Sequence, residues 1–170
     1  NSQRVGAGTV ALGLAVGAYR NALEFAKERE QFGRPIAEFQ GLQWMLADMS
    51  VQIEAARSLL HKAALSAGQN GSPFPDPTLA AQGKIFTSEM ALKVTNDALQ
   101  MFGARGYSRN YPMERLARDA RMFTIGGGTA QILRTVVASR ILEMKLPQTR
   151  EGFLQMAERE ASKKGLQAAE

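Results

Sequence analysis

Apolar residues near the start of the chain fall at Val5, Leu12, Val16, Tyr19, Leu23 and Ala26, with gaps of three, four and seven that keep one helical face. The pattern predicts a long amphipathic helix ending near Gly33-Arg34-Pro35. Gly6, Gly13 and Gly17 lie on or near that face, although each costs a helix about 1 kcal/mol in propensity. Glycines in such places usually admit another backbone or a ligand. A second helix reads from about Ile36 through Phe39, Leu42, Leu46, Met49, Ile53, Ala56 and Leu60, until the breaker cluster Gly68-Gln69-Asn70-Gly71-Ser72-Pro73 stops it.

Asp76-Pro77 has the form of an N-cap followed by a first-turn proline. The third helix carries Phe86, Met90, Val94, Ala98 and Met101 before Gly103. A looser segment from Gly103 to Pro112 leads to a short charged helix through Glu114, Arg118 and Arg121. After a triple glycine, Ile132, Val136, Ile141 and Met144 mark a last core helix. The tail beyond Pro147 is amphipathic at first, with Phe153, Leu154, Met156 and Ala157, and then polar. No alternating run reaches five residues, so no strand is expected. Long helices with short connections pack antiparallel, which predicts an all-α fold: an antiparallel up-and-down four-helix bundle with short extra helices. Residues 1–146 form the bundle in this reading, and 147–170 a separate tail.

Composition narrows the chemistry. With 170 residues, 45% of them hydrophobic, the chain suits one domain with one core. It starts at Asn1 with the apolar pattern already running, so it is expected to be a piece of a larger protein. Every apolar stretch is interrupted before the roughly 20 residues a membrane span needs, and no signal-peptide pattern opens the chain. A soluble protein of the cytoplasm, or of the mitochondrial matrix in a eukaryote, is expected. The absence of cysteine excludes disulfides and thiolate metal sites. The one histidine, His61, sits mid-helix beside Lys62, where a solvated role is expected and no metal site follows. The eight methionines fall mostly at core spacing and read as packing. A net charge of +5 favours anionic partners, but the arginines are scattered, without the basic and aromatic interleaving of a nucleic-acid surface. Isolated arginines suit discrete phosphates on a small ligand.

Three stretches could carry chemistry. Ile125-Gly126-Gly127-Gly128-Thr129-Ala130-Gln131 joins a charged helix to an apolar one, and could turn backbone N–H groups and a helix N-terminus toward an anion or a polarised carbonyl. It could equally be a tight interhelical turn, and it lacks the lysine and spacing of a P-loop. Arg29-Glu30-Gln31-Phe32-Gly33-Arg34-Pro35 sets arginine beside phenylalanine at a helix end, fit to clamp a pyrophosphate and stack a ring, or simply to stop a helix. Gln100-Met101-Phe102-Gly103-Ala104-Arg105-Gly106-Tyr107 is another small-residue turn.

In their order and spacing these stretches, together with Arg4, Gly13, Phe39-Gln40, Tyr111-Pro112-Met113-Glu114-Arg115 and Arg118-Asp119-Ala120-Arg121, resemble the C-terminal domain of acyl-CoA dehydrogenases from the first residues to about Met144. Such proteins have an N-terminal helical domain, a middle β-barrel and a C-terminal four-helix bundle, so the resemblance implies that this chain is the third domain. It further implies FAD as cofactor, an acyl-CoA thioester as substrate, the chain's own N-terminal and middle domains as partners, a homo-oligomer (dimer or tetramer), and an electron-transfer flavoprotein as acceptor. Carried over by motif, Arg29, Phe32 and Gln40 would meet the diphosphate and adenosine of FAD. Gln100, Gly103 and Ala104 would touch the same cofactor, as would Thr129 and Gln131 at the end of the glycine loop. Arg4, Gly127 and Gly128 would face the acyl-CoA.

The resemblance breaks at the base. The usual loop carries a glutamate where this chain has Gly127, and a minority of the family places it immediately before the arginine matching Arg4, where this chain has Gln3. An amide takes no proton at neutral pH. α,β-Dehydrogenation therefore remains the expected reaction only if a base comes from elsewhere. The alternatives are a redox-neutral acyl-CoA enzyme on the same fold, such as a 3-sulfinopropionyl-CoA desulfinase, and a non-catalytic structural or assembly domain.

Overall fold

The computed structural model describes residues 2–148 and 150–167; Asn1, position 149 and the polar end of the predicted tail at 168–170 lie outside them. Helix α1 runs Ser2–Glu28, and after a two-residue hairpin (β1, Glu30–Gln31; β2, Arg34–Pro35) helix α2 runs Gln40–Leu65. Helix α3 spans Pro77–Phe102, followed by the short α4 (Ala104–Tyr107), α5 (Met113–Met122), α6 (Ala130–Ile141) and α7 (Arg150–Gln167). The expected all-α bundle is present. Helix α3 is its axis, packed on α1, α2, α5 and α6.

The α1 interface differs in kind from the expected apolar stripe. Ala11, Ala15, Ala18, Ala22 and Ala26 are fully buried, whereas Val16, Tyr19 and Leu23 are half-buried at its margins. Alanine at this spacing lets α1 and α3 approach closely over their length. Close approach was also expected at Gly6, Gly13 and Gly17, but a methyl at any of them would meet nothing within 4 Å. The glycine that matters is Gly8, where an added Cβ would sit 2.7 Å from Leu60 Cδ2. Leu60 of α2 thus occupies a notch in α1 that periodicity could not show.

Helix ends follow local chemistry. Asp76 caps α3 as predicted, its carboxylate accepting from the amides of Thr78 (2.9 Å) and Leu79 (2.8 Å). Helix α1 stops at Glu28, earlier than expected, because the chain turns into the hairpin that the strand criterion missed. Glu30 pairs with Pro35 and Gln31 with Arg34, closed by left-handed Phe32 (φ 54°) and Gly33 (φ 76°). A run of two residues is too short to show alternation. Phe39 is extended and caps α2, so that helix begins at Gln40 after a 3₁₀ turn at Ile36–Glu38.

Four residues expected in the core lie outside it. Phe86 is exposed, and the buried face of α3 instead carries Lys84, Thr87 and Ser88. In α6 the fully buried side chain is Leu133, while Ile132 and Ile141 are exposed and Met144 lies beyond the helix end, also exposed. Apolar residues on more than one face of α3 and α6 leave periodicity no means of telling which stripe meets its own bundle. His61 is exposed, as expected.

Candidate functional site

The predicted residues gather at two ends of the bundle. At one end, α5 unwinds through Phe123 and Thr124, with the Gly126 amide donating to the Met122 carbonyl at 2.8 Å. Gly127 (φ 70°) and Gly128 (φ 95°) then take successive left-handed conformations, which only glycine adopts at little cost. The Thr129 hydroxyl caps α6 by accepting from the Ile132 amide at 3.2 Å, and the Ala130 amide reaches back to the Thr124 carbonyl at 3.0 Å. Among the described residues the amides of Gly127, Gly128 and Thr129 meet no protein acceptor. The loop is a set of donors beside a helix N-terminus, with neither Gly127 nor the exposed Gln3 offering a carboxylate. Gln131, in the first turn of α6, is exposed beside it.

Beneath the loop lies a residue that sequence reasoning passed over. Lys84 is 0% exposed, and its Nζ donates to the Gly128 carbonyl oxygen at 2.6 Å. Burial, and after it the neighbouring charge of Arg4 in the first turn of α1, pushes the lysine below its ordinary pKa. A signal for Lys84 was present: Ala80, Lys84, Thr87, Ala91, Val94 and Ala98 follow one another at steps of four and three, so the lysine stands on the buried face of α3. Reading only the apolar members of that face hid it.

At the other end, the hairpin after α1 meets the turn after α3. Phe25, Glu28, Arg29, Glu30 and Arg105 line a cleft of about 340 Å³. Phe25 stacks on Phe102 with ring centroids 4.1 Å apart, and the Arg105 guanidinium stands 5.9 Å from the Phe25 ring. Gly103, at φ 58°, turns the chain so that α4 folds back on α3, leaving Ala104 exposed. Phe32 projects from the hairpin tip, 92% exposed, in a left-handed conformation that costs a bulky residue on the order of 1 kcal/mol. Its ring meets Phe39 edge-on at 6.1 Å, and Arg34 covers the Phe39 ring at 4.4 Å. Gln40 and Gln100 are exposed at the adjoining helix ends. The two ends are well separated: Lys84 and Phe102 stand about 27 Å apart along α3 at the helical rise.

Residues 1–142 match the acyl-CoA dehydrogenase C-terminal domain family. The chain belongs to that family. It is 69% identical over 154 residues to the 3-sulfinopropanoyl-CoA desulfinase of Cupriavidus necator, an alignment covering 91% of this chain and 38% of the relative. To the short-chain specific acyl-CoA dehydrogenase of Clostridium acetobutylicum it is 44% identical over 138 residues, covering 81% of this chain and 36% of the relative. The butyryl-CoA dehydrogenase of Megasphaera elsdenii superposes with a TM-score of 0.77 at 43% identity, over 82% of this chain and 36% of that one. The chain thus spans under two-fifths of the length of these relatives. Among the described residues no helix is long and apolar enough to cross a membrane, and no group of three or more histidine, aspartate or glutamate side chains could hold a metal ion.

Proposed function

We propose that this chain is the C-terminal bundle of a redox-neutral acyl-CoA enzyme that removes a sulfinate from a 3-sulfinoacyl-CoA thioester. The observation that carries the reading is the composition of the glycine-loop end: free backbone donors, Lys84 and Arg4 close by, and no carboxylate at Gly127 or Gln3. Dehydrogenation needs a base for the α-proton. Desulfination does not. Its C–S bond breaks as the electron pair retained by carbon takes a proton from water, and the departing sulfur dioxide takes up the remaining hydroxide as hydrogen sulfite, so the thioester keeps its oxidation level. A positively charged site suits that anionic substituent. The identity to the Cupriavidus desulfinase, well above that to the Clostridium dehydrogenase, points the same way. The expectation of α,β-dehydrogenation gives way to its redox-neutral alternative.

The residues fit FAD at both ends. The cleft offers the Arg29 and Arg105 guanidinium groups to a diphosphate, with Glu28 and Glu30 on the same lining, and the exposed Phe32 ring, held out in a costly conformation, suits a flat heterocycle. Arg29, Phe32, Gln40, Gln100, Gly103 and Ala104 would hold the cofactor at that end, and Thr129 and Gln131 at the other. When bound, FAD supplies a hydride acceptor for oxidation, which a redox-neutral reaction leaves unused. A separation of about 27 Å between the two ends fits one cofactor drawing on two copies of the chain.

Anaerobic mixing of the full-length protein with 3-sulfinopropanoyl-CoA is expected to release sulfite while the flavin stays oxidised, and butyryl-CoA is expected to leave the flavin unbleached. Bleaching by butyryl-CoA without sulfite release from the sulfinate would return the reading to dehydrogenation.

The exposed apolar face of α3 and α6 completes the proposal. Leu59, Ile85, Phe86, Val137 and Ile141 line an apolar groove of about 470 Å³, flanked by the exposed Leu142 and Met144. A second copy of the chain is the expected cover, making this face the core of a homo-oligomer. Sedimentation of the full-length protein at micromolar concentration is expected to show dimers or tetramers; a monomer would count against this assignment.

A further inference from the structure

We infer that Lys84 is a positioning residue, whose Nζ, fixed on the Gly128 carbonyl, holds the glycine loop in the shape that presents its amides to the thioester. The inference rests on the functional reading above and extends it to a residue outside the matched motifs. Within the loop, Gly126, Gly127 and Gly128 have no side chains to pack, and the local turn bonds tie only its two ends, at Gly126 and Ala130. The bond from Lys84 spans 44 residues of sequence and joins the middle of the loop to the bundle interior. Gly128 lies immediately before Thr129, the cap of α6, so the same contact also fixes where that helix begins.

Burial makes the choice of lysine informative. An ammonium taken wholly out of water loses hydration that a single carbonyl does not restore, and an apolar side chain of similar volume in such a place is often neutral or stabilising. Methionine would fill the volume. Packing alone therefore gives no reason for a lysine at 84, whereas a donor long enough to reach the Gly128 oxygen does.

The test uses the full-length holoprotein with Lys84→Met and Lys84→Gln. Methionine removes the donor, and glutamine, one bond shorter, leaves it out of reach. Both are expected to keep their flavin and oligomeric state, while amide exchange across 124–131 speeds up and kcat for sulfite release falls about tenfold or more with KM little changed. Met49→Ala, a cavity in α2 away from the loop, serves as the control: it is expected to lower stability while leaving kcat intact. Wild-type kcat in either folded lysine variant would overturn the inference, and so would an equal loss of kcat in the control. If the wild-type protein releases no sulfite, the functional reading fails by itself. The exchange rates still decide whether Lys84 holds the loop, and unchanged exchange in both variants would reject the clamp.

Discussion

Gly106→Ala is expected to destabilise the protein by about 3 kcal/mol, as overpacking against an unyielding wall does. Gly106 is buried in α4, and an added Cβ would stand 2.7 Å from the Leu99 carbonyl oxygen and 2.7 Å from Phe102 Cβ. Neither atom can swing aside: one is backbone, and the other is bound directly to it. Relief requires α4 to lift from the end of α3. That movement would disturb Phe102, which stacks on Phe25 and meets Tyr111 edge-on at 5.6 Å, and with it the cleft between Arg29 and Arg105. Gly103→Ala is a useful contrast. There a methyl has open space, but φ 58° with ψ −138° is a backbone conformation left almost entirely to glycine, so the cost is conformational strain of about 1–3 kcal/mol without a clash. Denaturant unfolding of the two variants separates the mechanisms; equal and small losses in both would mean that α4 is free to move.

The fold was legible because helical periodicity, an Asp-Pro cap and glycine breakers all act within one or two turns of chain. Asp76 needs nothing beyond Thr78 and Leu79 to declare itself. What escaped was set by tertiary contact. Gly8 and Gly13 are the same residue type in the same helix, and only the position of Leu60 makes one a notch and leaves the other open. Phe86 and Ile132 look like core residues because they are apolar, yet they lie on a face that this chain alone does not cover. The site divided similarly. Gly127, Thr129, Arg29 and Phe32 were readable as motif, and the structure places them at two ends of the bundle. Lys84 belongs to no glycine loop or arginine cluster in sequence. Its role exists only through a contact 44 residues away.

Gly127→Glu is expected to reduce sulfite release by about 100-fold or more, since like charges brought together in a site cost several kcal/mol. The position is open: a Cβ there meets nothing within 4 Å, so the side chain can be accommodated. Its φ of 70° imposes strain of about 1–2 kcal/mol on any residue with a Cβ. Gly127→Asn isolates that strain, because asparagine tolerates left-handed backbone and carries no charge. The asparagine variant is therefore expected to keep most of the activity. The glutamate variant should lose it through repulsion of the sulfinate, and its carboxylate is expected to let butyryl-CoA bleach the flavin by supplying the missing base. These two readouts move in opposite directions, which a folding defect cannot imitate. Undiminished sulfite release with glutamate at 127 would remove that position from the site, and equal losses in both variants would assign the effect to backbone strain. In the proposed reading, the reaction is set at this residue by what glycine omits: a carboxylate that would serve oxidation and repel the anion.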